Sequence, residues 1–377
     1  MASYFLYNKD DKLPHLQLVS KSSPGGANTY KSYFWFFPML SIFVEASCNR
    51  YNRDECIDCH VFEPLNEIPK SDWHMTTNQA RVMAEKIKQI DTLNALAKQE
   101  INLTGGEATQ NPNIVEIFKI FQSASPSVCM HTNLEMNSKS SKRWLRLVEI
   151  VKGGGRVDIT LYPTAWEKFQ KPLLKELITL QNRMIINISF ENLTHLQKQI
   201  QILTKFFSEE GANFDHIVSF LQVYSEKVSW LIKNQPGCDE SIYTTHLSNT
   251  EAFAYGEKFT LGISLLPAFK VDTEGKRSMA SIPFPNNPYI IHCPAARGSI
   301  DIMTVRQTGE MTPCCDVGNL KCQPRFGNLL TDSPNEIKAK FEESSKIMFA
   351  GISKNQENLK SGRSGKWVEE GIPPYCG

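Results

Sequence analysis

The stretch that decides the fold reads Pro38-Met39-Leu40-Ser41-Ile42-Phe43-Val44-Glu45-Ala46-Ser47-Cys48. Its apolar part predicts a buried strand, and Cys48 begins the loop that follows. Seven residues separate Cys48 from Cys56, and two separate Cys56 from Cys59. Three thiolates grouped in one loop bind zinc or an iron–sulfur cluster. A structural zinc site takes four ligands, whereas a 4Fe–4S cluster held by three cysteines leaves one iron open to a reactant.

Composition narrows the class of protein. A chain of 377 residues predicts about two domains, and 41% hydrophobic and 21% charged residues are typical of a globular protein. A net charge of +1 gives no reason to expect nucleic acid or a membrane as partner. Residues 1–12 lack the pattern of a signal peptide, so we expect a cytoplasmic protein with reduced thiols. Its ten cysteines are then metal ligands or core residues rather than disulfides.

Strand and helix patterns alternate between residues 38 and 222. We predict further strands at 101–103, 128–131, 156–161, 184–190 and 214–220, and helices at 76–98, 140–151, 165–181 and 193–210. This alternation indicates an α/β fold with a parallel sheet, and six such units suffice for a partial (β/α)6 barrel. In such folds the site lies where the strands end. Four segments fall at those ends: Cys48–Cys59, Gly105–Glu107, Thr132-Asn133 and Thr160.

The flanking segments give the predicted domain organisation. Residues 1–37 are interpreted as an N-terminal extension with a hairpin, and residues 223–285 as a bridge. Residues 286–377 form a small cysteine-rich domain, with a strand at 299–305 and Gly309 in the turn of a hairpin. Its thiols could make a second metal site: Cys293, Cys314, Cys315, Cys322 and Cys376. Elsewhere we interpret Cys129 and Cys238 as packing residues and His131 as structural.

The order of these motifs resembles the radical S-adenosylmethionine (SAM) superfamily over residues 40–220. The resemblance rests on the cysteine loop, Leu103-Thr104-Gly105-Gly106-Glu107, Thr132-Asn133 and Ile159-Thr160-Leu161. It implies that Cys48, Cys56 and Cys59 bind a 4Fe–4S cluster whose open iron binds the amino and carboxylate groups of SAM. It further implies contacts with SAM from four residues: Gly105, Gly106 and Glu107 at the methionyl end, and Thr160 where a serine is common.

The sequence departs from the superfamily pattern at three positions. Seven residues, not three, separate the first two cysteines. Asp58 stands before the third cysteine, where an aromatic residue usually faces adenine. The strand ending in Thr132-Asn133 continues with Leu134, where glycine is more usual.

The C-terminal segment is similar to SPASM and twitch auxiliary-cluster domains. Fifteen residues separate Cys293 from Gly309, four separate Gly309 from Cys314, and Phe326-Gly327-Asn328-Leu329 follows. This resemblance implies one auxiliary 4Fe–4S cluster. Cys293 and Cys314 are its best ligands, and Cys322 and Cys376 are the expected others, with Cys315 able to replace either.

Together the resemblances imply an enzyme that cleaves SAM reductively to a 5′-deoxyadenosyl radical. The radical would abstract hydrogen from a ribosomally made peptide, leading to a crosslink, an epimerisation or a backbone excision. The expected partners are the peptide, an electron donor and a separate leader-peptide recognition protein. Two alternatives stay open at this point: a radical enzyme acting on a small molecule, and a non-enzymatic module with two zinc sites.

Overall fold

The structure is a computed structural model, and it describes residues 31–32, 39–50, 69–180, 183–190, 193–211, 214–234, 250–255, 260–267, 270–271, 277–278, 302–312 and 326–346. The predicted N-terminal hairpin lies outside these ranges. So do most of the cysteines: Cys56, Cys59, Cys238, Cys293, Cys314, Cys315, Cys322 and Cys376.

The described strands form one ten-stranded sheet and a separate pair. They are β1 (Lys31–Ser32), β2 (Met39–Glu45), β3 (Ile101–Gly105), β4 (Val128–Thr132), β5 (Arg156–Thr160), β6 (Arg183–Phe190), β7 (Thr250–Tyr255), β8 (Thr260–Pro267), β9 (Lys270–Val271), β10 (Arg277–Ser278), β11 (Ile302–Val305) and β12 (Met311–Thr312). The order in the large sheet is β1-β7-β8-β6-β5-β4-β3-β2-β11-β12. Its middle, from β8 to β11, is parallel throughout, and the pairs at both edges are antiparallel. The predicted α/β class with a parallel sheet is therefore confirmed.

Helices connect the parallel strands. They are α1 (Thr77–Gln89), α2 (Asp91–Gln99), α3 (Ile114–Gln122), α4 (Lys142–Lys152), α5 (Lys171–Thr179), α6 (Leu193–Glu210) and α7 (Asp215–Asn234). The Thr76 side chain and Gln79 form a capping box that begins α1, which satisfies two amide groups left without helical partners. Helix α4 has a single cap bond, in which the Ser141 side chain accepts from the Trp144 amide.

The two faces of the parallel sheet differ in composition. On one face, alternate strand residues such as Leu40, Ile101 and Val128 are buried in a single apolar cluster with residues of the helices. On the other face, the intervening residues of the same strands include polar ones such as Asn102, Thr104 and His131. Parallel strands covered on both faces are apolar throughout. The alternation therefore separates a helix-covered face from a polar face.

The sixth parallel strand was predicted at the wrong place. Residues 215–220 belong to α7 and Phe214 directly precedes it, while β8 pairs with β6 and completes the set. The short segment 214–220 alone does not exclude a strand, but its buried residues continue at helical spacing through Leu221, Tyr224 and Val228. The predicted helix at 76–98 is also two helices, because Ile90 has an extended backbone (φ −107°, ψ 108°) between α1 and α2.

The predicted hairpin around Gly309 is confirmed. Strand β11 pairs with β2 in parallel and with β12 in antiparallel fashion, so this part of the C-terminal segment extends the main sheet. Gly309 has φ +89°, and an added Cβ would lie 2.2 Å from Asn328 Oδ1. The Leu329 amide also donates to the Gly309 carbonyl at 2.7 Å. Two motifs singled out in the sequence, Gly309 and residues 326–329, thus pack together.

Candidate active site at the carboxyl edge of the sheet

The backbone that follows β2 is hydrogen-bonded to the residues at the end of β3. The Gly106 amide donates to the Glu45 carbonyl at 2.8 Å, and the Glu107 amide donates to the Ser47 carbonyl at 2.9 Å. Since these bonds continue the β2–β3 pairing past the strand ends, they fix the backbone immediately before Cys48. The predicted cysteine loop and the predicted glycine motif are therefore brought together.

Both glycines are required by this contact. A Cβ on Gly105 would lie 2.0 Å from the Glu45 carbonyl oxygen, and Gly105 also has φ +137°. A Cβ on Gly106 would lie 2.3 Å from the Ser47 carbonyl oxygen. These distances are far below van der Waals contact, and backbone atoms cannot move aside cheaply. The glycines thus let two backbones approach each other, and their predicted contact with SAM stays a prediction.

Glu107 connects the ends of β3 and β4. Its carboxylate is 1% exposed. Oε1 accepts from the Thr109 amide at 3.1 Å, from Thr109 Oγ1 at 2.5 Å and from Thr132 Oγ1 at 2.9 Å. Oε2 accepts from the Asn133 amide at 2.7 Å. A buried carboxylate with four donors is well satisfied. Glu107 therefore links the segment after β3 to the end of β4.

Cys48 is half-buried and is surrounded by amide donors. The Arg50 amide lies 3.4 Å from its Sγ, and Asn133 Nδ2 lies 3.9 Å away. Asn133 Nδ2 also donates to Asn49 Oδ1 at 3.0 Å. Hydrogen bonds of this kind stabilise a thiolate and tune a metal bound to it. Cys48 is the one predicted cluster ligand that falls within the described residues.

A buried ion pair lies directly beyond Cys48. Arg50 Nη1 donates to Glu135 Oε2 at 2.8 Å, and its Nη2 donates to Thr164 Oγ1 at 3.1 Å. The guanidinium stacks on the Tyr162 ring at 4.1 Å. An arginine matched to a carboxylate and an aromatic face is held in one orientation. Sequence reasoning missed Arg50 and Glu135, because a single charged residue in a loop carries no local signal.

Backbone geometry after β4 supports the same ion pair. Leu134 has φ 49°, which is uncommon for a residue with a side chain. The Leu134 amide donates to Thr132 Oγ1 at 3.1 Å, and the Glu135 amide donates to Asn133 Oδ1 at 2.9 Å. The side chains of Thr132 and Asn133 therefore hold the left-handed turn that directs Glu135 towards Arg50.

Thr160 ends β5 at the same edge of the sheet and is half-buried. Its carbonyl accepts from Gln170 Nε2 at 2.8 Å, and the same amide nitrogen donates to the Asn133 carbonyl at 2.7 Å. Gln170 ends a single π-helical turn, Trp166–Gln170. It connects the ends of β4 and β5, a role that sequence reasoning missed. The predicted contact of Thr160 with SAM stays a prediction.

A second polar group lies deeper on the polar face. Arg156 donates to both oxygens of Glu100 and to both oxygens of Asp158, and His131 Nε2 lies 3.5 Å from Asp158 Oδ2. Burial alone would raise the pKa of Asp158, but the Arg156 guanidinium lowers it below its ordinary value. Burial raises the pKa of the Cys129 thiol well above its ordinary value.

Cys129, His131 and Asp158 offer ligand atoms within 4.8 Å of one another. Such a trio has the composition of a transition-metal site. Here, however, the guanidinium of Arg156 already donates to both oxygens of Asp158, and the buried thiol of Cys129 resists ionisation. A divalent cation would compete with a cation already in place, so this group is better described as an ion-pair network.

Comparison with known proteins finds similar proteins only among solved structures. No protein-family model and no curated protein matches the chain. SuiB of Streptococcus suis bound to S-adenosylmethionine is similar at 14% identity, with a TM-score of 0.41, over 79% of this chain and 65% of SuiB. SuiB bound to precursor peptide SuiA is similar at 13% identity, with a TM-score of 0.43, over 79% of this chain and 64% of SuiB. BtrN in complex with AdoMet and 2-DOIA is similar at 14% identity, with a TM-score of 0.33, over 83% of this chain and 87% of BtrN.

The chain thus spans just under two thirds of the length of SuiB. Among the helices of the described ranges, none combines the length and apolarity of a membrane-spanning segment.

Proposed function

We propose that this chain is a radical SAM enzyme that modifies a ribosomally made peptide. One observation carries the proposal: the backbone before Cys48 is hydrogen-bonded to Gly106 and Glu107 at the carboxyl edge of the sheet. The first cysteine of a three-cysteine loop and a glycine-glycine-glutamate turn are thereby joined at the edge where parallel α/β folds place their sites.

The described residues fit a cluster-binding role at Cys48. Its sulfur is half-buried and receives amide donors from Arg50 and Asn133, and such donors stabilise a ligating thiolate. Under this proposal Cys48, Cys56 and Cys59 would hold the 4Fe–4S cluster. The bound cluster and SAM would supply one-electron cleavage and hydrogen abstraction.

The chain's own residues would position and shield this chemistry. Glu107, Asn133 and Gln170 bind the ends of β3, β4 and β5 to one another, which makes the edge rigid. The buried Arg50–Glu135 pair anchors the chain two residues after Cys48. A preorganised site of this kind keeps reactants in place and limits side reactions. Gly105, Gly106, Glu107 and Thr160 remain the proposed SAM-contacting residues.

The peptide substrate is the finer part of the proposal. It rests on the similarity of residues 293–329 to auxiliary-cluster domains, with Cys293, Cys314, Cys322 and Cys376 as proposed ligands. A separate leader-recognition protein and an electron donor are the proposed partners, and the cytoplasm is the proposed compartment. Co-expression with a candidate precursor peptide, followed by mass spectrometry, tests this part. A mass change in the peptide supports it, and turnover of a small molecule alone contradicts it.

The decisive experiment for the enzyme class is anaerobic reconstitution with iron and sulfide, followed by iron analysis and an assay for 5′-deoxyadenosine. The wild-type protein should be brown and cleave SAM. The variant Cys48→Ala/Cys56→Ala/Cys59→Ala should lose the SAM cleavage, while the control Cys238→Ala retains it. A wild-type protein that binds zinc and no iron would overturn the proposal in favour of a zinc module.

Glu107→Gln tests whether Glu107 holds the strand ends together at the carboxyl edge of the sheet. An amide has a donor where the carboxylate accepts, so at least one of the four donors around Glu107 would lose its partner. We expect a loss of about 2 kcal/mol in the free energy of unfolding. We also expect weaker SAM binding, measured by equilibrium dialysis. Unchanged stability together with unchanged SAM binding would contradict both roles of Glu107.

A further inference from the structure

We propose that the outer face of α4 is the docking surface for an acidic protein that donates single electrons. The centre that this protein would reduce is the 4Fe–4S cluster proposed at Cys48, so the inference rests on the proposed function. In the transfer the donor loses one electron and the cluster gains it, and no bond is made or broken.

Helix α4 is the most positively charged of the helices α1–α7. It contains one carboxylate and has a net charge of +3 from four cations: Lys142, Arg143, Arg146 and Lys152. The whole chain has a net charge of only +1. The one carboxylate, Glu149, is paired with Lys119 of α3 at 2.7 Å. The positive charge of α4 is therefore not neutralised within the helix.

The cations of α4 do not serve the stability of the helix. Its first turn contains Lys142 and Arg143 and no acidic residue. The amino end of a helix carries partial positive charge, so each cation there costs about 0.3–1 kcal/mol. Burial and the neighbouring Arg143 lower the pKa of Arg146 from its ordinary value. Among the described residues, neither Lys142 nor Arg146 has a carboxylate partner. A negatively charged partner would supply the missing compensation.

An apolar side chain lies between these cations on the outer face of α4. Leu145 is 57% exposed. It lies three residues after Lys142 and directly before Arg146, and residues three and four apart share one face of a helix. An apolar centre with a charged rim is typical of protein–protein interfaces. Electron-transfer partners bind through small interfaces, so one helix face is large enough.

This surface adjoins the loop that contains Cys48. Arg143 Nη2 donates to Asn49 Oδ1 at 3.3 Å, and its Nη1 donates to the Glu135 carbonyl at 3.2 Å. Asn49 follows Cys48 directly in the chain, so the side chains of Asn49 and Arg143 connect the surface of α4 with the first proposed cluster ligand. Electron transfer slows steeply with distance. A donor bound at α4 would be close to the centre that it reduces.

The side of the sheet on which α4 lies favours a donor over a substrate. The inner face of the helix, which includes Trp144 and Leu147, belongs to the apolar cluster of the helix-covered face. A molecule on the outer face of α4 is therefore separated from the polar face of the sheet by the helix and the strands. A peptide substrate would have to reach the polar face, whereas an electron donor would not.

The test measures electron transfer to the anaerobically reconstituted full-length protein from flavodoxin hydroquinone, an acidic one-electron donor. Stopped-flow absorbance of the flavodoxin semiquinone gives the second-order rate constant. Lys142→Glu/Arg146→Glu should lower this rate constant about tenfold at low ionic strength, because electrostatic steering is lost. The exposed Lys142→Glu alone should lower it about threefold. Both differences should shrink at high salt, which screens exposed charges.

A matched control separates this surface from net charge. Lys198→Glu/Lys205→Glu on α6 makes the same change in charge and should leave the rate constant near the wild-type value. Iron content, circular dichroism and the extent of reduction by dithionite verify that each variant is folded and carries the cluster. Wild-type rate constants in both α4 variants, or an equal loss in the α6 variant, would overturn the inference.

Failure of the proposed function gives a different result. A protein that binds no iron has no centre to reduce, and both the proposed function and the docking surface would then be wrong. A protein that binds the cluster and cleaves SAM with dithionite, but whose reduction by flavodoxin does not depend on the charges of α4, would keep the proposed function and lose this surface.

Discussion

The two faces of the parallel sheet use the same strands for different purposes. On β3, Leu103 is completely buried against the helices, while its neighbour Thr104 is half-buried on the polar face. The helix-covered face removes apolar surface from water, which is the main favourable contribution to folding. The polar face instead carries hydroxyl, amide and charged groups beside the Cys48 loop. Adjacent residues of one strand therefore contribute to apolar packing on one face and to a polar surface on the other.

The largest expected effect is on the helix-covered face. Leu103→Ala should lower the free energy of unfolding by about 3 kcal/mol, because it leaves a cavity in a fully buried cluster. The matched variant Thr104→Ala on the opposite face should cost less than about 0.5 kcal/mol. Urea unfolding followed by circular dichroism measures both. Equal costs for the two variants would break the distinction between the faces.

Asp158 lies on the polar face, but its substitution is expected to cost more stability than that of Thr104. Asp158→Asn should lower the free energy of unfolding at neutral pH by about 2 kcal/mol, because the partly buried Arg156 loses one of its two carboxylate partners.

The same variant should change the dependence of stability on pH. Arg156 holds the pKa of Asp158 below its ordinary value, so the wild-type protein gains stability above the unfolded pKa. That stability is lost as the pH falls below about 4 and through the folded pKa. Asp158→Asn cannot titrate and should lose less stability on acidification. Parallel acid unfolding curves for the two proteins would refute the role of the ion pair.

An effect as large as that of Asp158→Asn is expected at the edge where both faces end. Gly106→Ala should cost about 2 kcal/mol, because a Cβ would collide with the Ser47 and Ala46 carbonyls. Gly153→Ala is the matched control, since its Cβ would come no closer than 3.3 Å to other atoms. Thermal unfolding compares them. A Gly106 variant as stable as the control would show that the loop before Cys48 can shift freely.

Much of this architecture could be predicted from local sequence. The strands at 101–103, 128–131, 156–161 and 184–190 were identified because short apolar runs alternate with amphipathic helices. The strand predicted at 214–220 was wrong, since a seven-residue segment with four apolar residues does not distinguish a strand from the first turns of a helix. Strand β8 was missed because its place is set by pairing with β6 across long sequence separation.

The candidate site was predictable only in part. Gly105, Gly106 and Cys48 are adjacent in space because strand ends meet at one edge, which a topology argument can anticipate. The Arg50–Glu135 pair and the role of Gln170 could not be anticipated, because each depends on a contact between distant segments. Cys129 and His131 were interpreted as structural, and their proximity to Asp158 follows only from the β4–β5 register.

The hydrogen bonds from Gly106 and Glu107 to residues 45 and 47 affect how the length of the cysteine loop could vary among related chains. The anchor lies upstream of Cys48, and Arg50 is held by its own buried partners. Residues added after position 50 would lengthen a connection whose closure entropy grows only slowly with length. The first thiolate would keep its place while the spacing to the second one changes. A seven-residue interval between Cys48 and Cys56 is therefore compatible with a fixed first ligand, and natural insertions in related chains should accumulate beyond that point.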